Sequence, residues 1–556
     1  MTAARQGAVA PATAVEPLSQ PPGAEVAYAP PLGPPPLPWV PARLRRLGAP
    51  LLLVALMVAA LAVRVPELHQ PLWGDEVAAA RAFSHHNVGH VVAAVRLRKN
   101  EPPLWYLLMW VILRAGDLAG NTPRVVDLRA VSVLASVLTV AGVFVYARRR
   151  LGLTAAVVAG AVAAFGSQFV LHGAELRGYA LYAALAVAFA FLVEAAARSG
   201  ARRWLIPLAL VTAAGCLTQY FFLLTVIAAG LHLWTARARP VRARVRAGAA
   251  IAAGTLALVP WIPLIPARLH RFGYVGAYGG HTVVALPWNL FVGYQHADSV
   301  VRDEQVLLFA AVLLGSILLI RREATRLAGL CALVPPLVGA VVWALGKPVY
   351  DPRNFMAAAP FLAIALAAPL QHLRWVRVRA LIAAAGVTAL VLAVTLTQLP
   401  LGRTPYDAVA RTITREGWRY QAPIVYFGPR YWSMKLVTWS LPRHQWMVRS
   451  VGARGVCTDV YAIIESRAGR RWLQILEEDT HVRPQVSSFP DYATPPEGSL
   501  VPHGSLEVVG LHRVSPTQLT LARLDGGAVF VSAPAPTLTL DAPLPKAYPS
   551  CASTTP

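Results

Sequence analysis

Charge is what this sequence has least of. Only 14% of its 556 residues are Asp, Glu, Lys or Arg, while 56% are hydrophobic, and the mean hydropathy is +0.50. Soluble domains carry about a quarter charged residues, so the deficit excludes an ordinary soluble enzyme and predicts an integral membrane protein. Acids are scarcer than bases, 27 against 51, for a formal net charge of +24. A nucleic-acid binder would gather that excess on one domain. Here it falls in short clusters between apolar runs: Arg43 to Arg46, Arg148 to Arg150, Arg198 to Arg203, Arg237 to Arg246, Arg321 to Arg326 and Arg374 to Arg379. That pattern belongs to cytoplasmic loops, and it argues against a nucleic-acid partner. Cysteine is rare too. Four residues are too few for a disulfide scaffold. Cys216 and Cys331 sit in apolar runs as small hydrophobes. Cys457 and Cys551 share the C-terminal region and are candidates for a disulfide if that region is extracytoplasmic. No solenoid-type repeat is present.

The basic clusters set a topology. Residues 1–42, rich in Pro and Ala, read as a disordered cytoplasmic tail. A first span over about Leu47 to Val63 puts the following loop, with Asp75 and Glu76, outside. The apolar run Pro103 to Ala115 is about 13 residues long, short of the roughly 20 a span needs. Counting it as a span would also put Arg148 to Arg150 outside. It therefore reads as an interfacial helix on the outer leaflet. Spans then follow over about 128–147, 154–171, 180–197, 204–217, 221–235, 248–265, 305–320, 327–345, 355–369 and 380–396, about eleven in all. All six basic clusters then lie inside, and only the Arg96 to Lys99 patch is left outside. Pro266 to Asp303 is expected to be a long outer loop. From about Gln398 the composition turns mixed. Short β-like runs, APIVYFG and HGSLEVVGLHRV, predict a small α/β domain with a poorly ordered end.

The outer loops hold the ionisable residues that topology leaves unexplained. Among them are Asp75, Glu76, Glu101, Arg129, Glu175, Arg177, Lys347, Asp351 and Arg353. Acids and cations converging on one membrane face suit an anionic head group and a nucleophile that must lose a proton. His85, His86 and His90 lack zinc-motif spacing and read as the polar face of an interfacial helix. Trp105 and Tyr106 read as interfacial anchors rather than sugar-stacking platforms.

Four runs carry a resemblance: GDE, EPPLWYLLMWVILRAGD, RAVS leading into a span, and GAELRGYAL. Together, over about Leu47 to Pro369, they resemble the polyprenyl-phosphate-dependent glycosyltransferases of the GT-C fold. Family 39 and its bacterial relatives are nearest: protein mannosyltransferases, the aminoarabinose transferase of lipid A and the lipopolysaccharide galacturonosyltransferase-like group. The resemblance implies that Asp75, with Glu76 beside it, is the catalytic acid pair and that Asp75 is the general base. It implies that Arg177, Arg353 (in Arg-Asn-Phe, similar to the family's Arg-Tyr-Leu) and Lys347 hold the donor phosphate. Many relatives carry His, Arg or Lys before the proline pair, and this chain has Glu101. A carboxylate there suits a divalent ion or the acceptor, with Glu175 and Arg129 as further candidates for such a site. No cofactor beyond that ion is implied.

The expectation is thus an all-α polytopic membrane protein of GT-C type with outer-face juxtamembrane helices and a small C-terminal extracytoplasmic α/β domain. Residues 1–42 form the tail, 43–397 the transferase domain and 398–556 the C-terminal domain. It would sit in the cell membrane with its N-terminus cytoplasmic and its active site outside. There it would transfer a sugar, mannose first and a pentose second, from a polyprenyl-phosphate carrier to a hydroxyl of a protein, glycolipid or polysaccharide, with inversion. A transporter or flippase of a lipid-linked substrate, or a non-catalytic relative, is the alternative. Functional polar groups at the bilayer midplane would favour transport.

Overall fold

Charge and glycine decide where the helices of this chain end. The computed structural model describes residues 42–70, 72–96, 101–120, 123–266, 281–293, 301–347 and 349–397, then five strands between 424 and 511. The expected tail, the candidate Cys457–Cys551 pair and Arg98–Lys99 lie outside these residues. The chain divides at Gly48 into two units. Apart from the start of the first helix, everything below concerns the second.

The helices are α1 (Ala42–Leu68), α2 (Gly74–Phe83), α3 (Val88–Ala94), α4 (Leu104–Leu118), α5 (Val125–Leu151), α6 (Leu153–Phe165), α7 (Ser167–Leu171) and α8 (Tyr179–Ser199). Then come α9 (Arg202–Thr218), α10 (Phe222–Thr235), α11 (Val241–Thr255) running into a 3₁₀ stretch (Leu256–Leu264), α12 (His281–Phe291), α13 (Asp303–Arg321) and α14 (Arg326–Ala344). A 3₁₀ turn (Pro352–Phe355) precedes α15 (Ala359–Ala367), and α16 (Val376–Thr397) closes the series. Every expected span falls on helical residues, although that over 154–171 is split in two and those over 248–265 and 355–369 are partly 3₁₀. Among the described residues, 7 helices are long and apolar enough to cross a membrane, and α6, α10, α12 and α15 with its 3₁₀ extension are shorter apolar helices. α5 shows how an end is made. The Asp127 carboxylate accepts from Arg124 N at 2.8 Å, and Arg148, Arg149 and Arg150 occupy the last turn, each charge opposing the helix dipole. Gly152, at φ 96°, then breaks the helix.

Two expectations need correction. The third span, expected over Thr154 to Leu171, is broken at Gly166 into α6 and α7. Arg64, fully buried in α1, fills the break. Its guanidinium donates to Ala164 O at 2.9 Å, Phe169 O at 2.9 Å and Ala163 O at 3.4 Å. It also donates to Ala60 O at 2.7 Å and to Ser136 Oγ at 2.9 Å. A cation inside an apolar bundle is costly, and carbonyls freed at a helix end are costly as well. Each satisfies the other. The second correction is α12, inside the stretch read as an outer loop. Its Pro287 obscured an apolar face, Ala285, Leu286, Leu290 and Phe291, which is buried.

Two cores result. The large one is rich in alanine from α5, α6, α8 and α15. Small residues let these backbones approach: a Cβ added to Gly315 would lie 1.8 Å from Ala365 O. The small one joins α2, α3 and α4 through Ala79, Phe83, Val91, Val95, Trp105, Tyr106 and Met109, with Leu128 and Leu176. Trp105, Tyr106 and Met109 lie on one face of α4 (i, i+1, i+4), so α4 is the juxtamembrane helix that its length predicts. Trp105 and Tyr106 are not interfacial anchors, because both are buried.

In the C-terminal region, strands β1 (Ile424–Phe427), β2 (Met447–Val448), β3 (Val460–Ile464), β4 (Gln485–Ala493) and β5 (Val501–Leu511) form one sheet in the order β2-β1-β3-β5-β4. β1 and β5 fall on the two β-like runs of the sequence. β1 is parallel to β2 and β3, with Ile424 opposite Met447 and Tyr461. β5 is antiparallel to β3 and β4. The sheet is thus mixed, parallel on one side of β3 and antiparallel on the other.

A candidate active site at one end of the bundle

The start of α2 is pinned by an ion pair. Glu76, at its third position, takes two hydrogen bonds from Arg129 of α5: Nε to Oε1 at 3.0 Å and Nη2 to Oε2 at 2.6 Å. Leu176 N donates to Oε1 at 2.7 Å and Trp73 N to Oε2 at 3.2 Å. Both side chains are at 0% exposure. Arg129 Nη1 also donates to the carbonyls of Glu67, Leu68 and Gln70 at the end of α1. One buried pair thus ties together α1, α2, α5 and the loop before α8.

That loop, 172–178, carries a second cluster. Glu175 is buried. It accepts Trp73 Nε1 at 3.1 Å and His172 Nδ1, and the imidazole lies against the Tyr179 ring at a 4.6 Å centroid distance. Arg177 points elsewhere. Its Nη2 donates to Glu101 Oε1 at 3.3 Å and to Tyr179 Oη at 3.3 Å, and Nη1 reaches the Asp75 carbonyl at 3.5 Å. Tyr106 Oη donates to the other oxygen of Glu101. Burial alone would lower the Arg177 pKa, but Glu101, Tyr179 and Asp75 together push it well above its ordinary value. The guanidinium is therefore a fixed cation.

Arg353 comes from the opposite side, in the 3₁₀ turn before α15. Asp351 caps this turn by accepting Arg353 N at 3.1 Å, and its carboxylate holds Arg353 Nε at 2.6 Å. Arg353 Nη1 then meets Asp75 Oδ2 at 3.4 Å. The Asp75 side chain stays 36% exposed, in contrast to its neighbour Glu76. Beside these groups lies a narrow cleft, partly open to solvent. Glu101, Trp105, Tyr106, Arg177, Gly178, Tyr179, Thr218 and Gln219 line it.

Of the residues singled out from sequence, the fold gathers Asp75, Glu101, Arg177 and Arg353 into one linked cluster. It seals Glu76, Arg129 and Glu175 in the packing behind that cluster, with Arg129 rather than Arg177 as the partner of Glu76. Lys347 is exposed in the turn after α14, and no described contact joins it to the cluster. Glu101 is already matched by Arg177 and Tyr106. Among the described residues no three His, Cys, Asp or Glu side chains gather as a metal-binding group. Trp73, His172, Thr218 and Gln219 escaped the sequence reading. Trp73 is the nearest to legible, since it directly precedes GDE.

Comparison with known proteins fits this geometry. Residues 100–266 match the profile of the family described as dolichyl-phosphate-mannose-protein mannosyltransferase. No curated protein matches the chain in sequence. Among solved structures, ArnT from Cupriavidus metallidurans bound to undecaprenyl phosphate superposes with a TM-score of 0.52 at 12% identity, covering 84% of this chain and 98% of ArnT. Its apo state gives a TM-score of 0.50 at 14% identity with the same coverage. The oligosaccharyltransferase of Archaeoglobus fulgidus, at a TM-score of 0.47 and 12% identity, covers 81% of this chain and 70% of its own. The likeness to ArnT shows the fold, and the matched segment spans Glu101, α4 and Arg177.

Proposed function

We propose that this chain is a membrane glycosyltransferase of GT-C type that transfers one sugar, mannose first, from a polyprenyl-phosphate carrier to an acceptor hydroxyl at the extracytoplasmic face. The observation that carries this is the linked cluster Arg353–Asp75–Arg177–Glu101, in which the solvent-reachable Asp75 carboxylate meets Arg353 while Arg177, paired with Glu101, holds the Asp75 backbone carbonyl. Asp75 takes the proton of the acceptor hydroxyl as its oxygen attacks the anomeric carbon. The bond from that carbon to the phosphate oxygen breaks on the opposite face, so the configuration inverts. The carrier phosphate leaves with the electron pair. Arg177, held rigid by Glu101 and Tyr179, stabilises that developing charge, with Arg353 as the second cation. Guanidinium suits the task because its donors form a planar fork. The contacts of Arg177 use Nη1 and Nη2, which leaves Nε for a phosphate oxygen. Glu76 and Arg129 act as positioning residues that hold the Asp75 backbone. Transport is not favoured, because the polar cluster gathers at one end of the bundle rather than at its middle.

The test compares purified wild type and Asp75→Asn in lipid nanodiscs, given radiolabelled polyprenyl-phosphate-mannose and a crude envelope acceptor fraction. Wild type transfers label, and the variant falls by about 10²- to 10⁴-fold, the usual worth of a general base. Undiminished transfer by Asp75→Asn rules out Asp75 as the base.

A further inference from the structure

The cleft beside Arg177 has two unlike walls. One is ionic, made of Glu101 and Arg177. The other is neutral and hydrogen-bonding, made of Trp105, Thr218 and Gln219. On the neutral wall, Trp105 is at 2% exposure, and its indole N–H finds no acceptor among the described residues. A buried donor left unmet is costly, so its retention points to an acceptor beyond those residues, which a bound ligand can supply. Gln219 is set in a similar way. Its side-chain oxygen accepts Tyr220 N at 3.1 Å, which leaves the amide NH₂ as the group it can offer to the cleft it lines. Thr218 Oγ1 donates back to Ala214 O at 2.7 Å, keeping its lone pairs available to accept. Gly178 forms the floor. A Cβ there would stand 3.2 Å from Trp105 Cβ and 3.2 Å from Thr218 Cγ2, so any larger residue would push the neutral wall apart.

We infer that Trp105 and Gln219 form the sugar subsite of the donor and determine which sugar is accepted, with Gly178 setting the depth of that subsite. This rests on the glycosyl-transfer reading above. A sugar bound with its phosphate toward Arg177 presents hydroxyl oxygens to the indole N–H and the Gln219 amide. A neutral ring of hydroxyls, rather than a charged group, is what such a wall can satisfy. Selection follows because a hydrogen-bonding site rejects a sugar that leaves its donor unpaired far better than an apolar site could.

The test measures binding to nanodiscs of two probes, bare undecaprenyl phosphate and undecaprenyl-phosphate-mannose. The proteins are wild type, Trp105→Phe, Gln219→Met and Arg177→Gln. Trp105→Phe and Gln219→Met are expected to weaken the mannosyl probe about tenfold and to leave the bare phosphate within about twofold, which also shows that both variants are folded. Arg177→Gln is expected to weaken both probes. Equal loss of both probes in Trp105→Phe and Gln219→Met, or no loss of either, overturns the sugar subsite while leaving the proposed function standing. Failure of wild type to bind either probe overturns the proposed function, and the subsite with it.

Discussion

Asp75 and Glu76 are adjacent in sequence and opposite in duty. Successive helical residues point about 100° apart, so one turns into the protein and the other toward Arg353 and solvent. Glu76 is sealed against Arg129, and removing one partner of a buried pair costs about 3–5 kcal/mol. Glu76→Ala is therefore expected to lower the unfolding temperature in detergent markedly, whereas Asp75→Asn, at a part-exposed position, leaves it nearly unchanged. Similar losses from both would erase the distinction. The sequence marked the pair but could not say which acid faced inward, because that depends on Arg129 and Leu176, far along the chain. Arg177 carries a further prediction. Its pKa is raised above the ordinary arginine range, so its contribution is complete throughout the neutral range and is lost only in strong alkali, beyond where a free arginine would titrate. Affinity for the mannosyl carrier, a phosphodiester, is thus expected to stay flat from about pH 6 to pH 9. A titration midpoint near pH 7 would assign the phosphate contact to another group.

At the scale of elements, spans and the juxtamembrane helix were legible because length and hydropathy define them locally. The break between α6 and α7 was not. It depends on the carbonyls of Ala163, Ala164 and Phe169, on either side of Gly166, meeting Arg64, which lies about a hundred residues earlier and which hydropathy places just past the first span. α12 escaped for a different reason, its proline interrupting the apolar pattern. The break matters to the site because the chain leaving it becomes loop 172–178. Arg64→Met strips donors from Ala163, Ala164 and Phe169, and each unmet carbonyl costs about 1–3 kcal/mol. The expected result is faster hydrogen exchange over 166–178 and a fall in transfer, with Arg64→Lys recovering part of both. Exchange unchanged from wild type would show that the break holds without its cation.

For the whole molecule, six basic clusters predict the side on which each loop lies. With the native cysteines replaced by serine, Arg96→Cys should react with an impermeant maleimide in intact cells. Arg242→Cys should react only after permeabilisation, and the reverse pattern would invert the topology. What the sequence could not convey was convergence: which loops meet. Asp75 and Arg353 are 278 residues apart, and that separation is also an interval of time. At ~5–20 residues per second, a ribosome needs roughly 14–56 s to travel from one to the other. Through about the second half of that interval Asp75, Arg177 and the sugar-facing wall are already made, yet the second cation is still unwritten. The nascent protein is thus built without its complete charge set until α14 has been threaded. On the proposed mechanism, a chain cut before Arg353 is therefore expected to turn over no carrier.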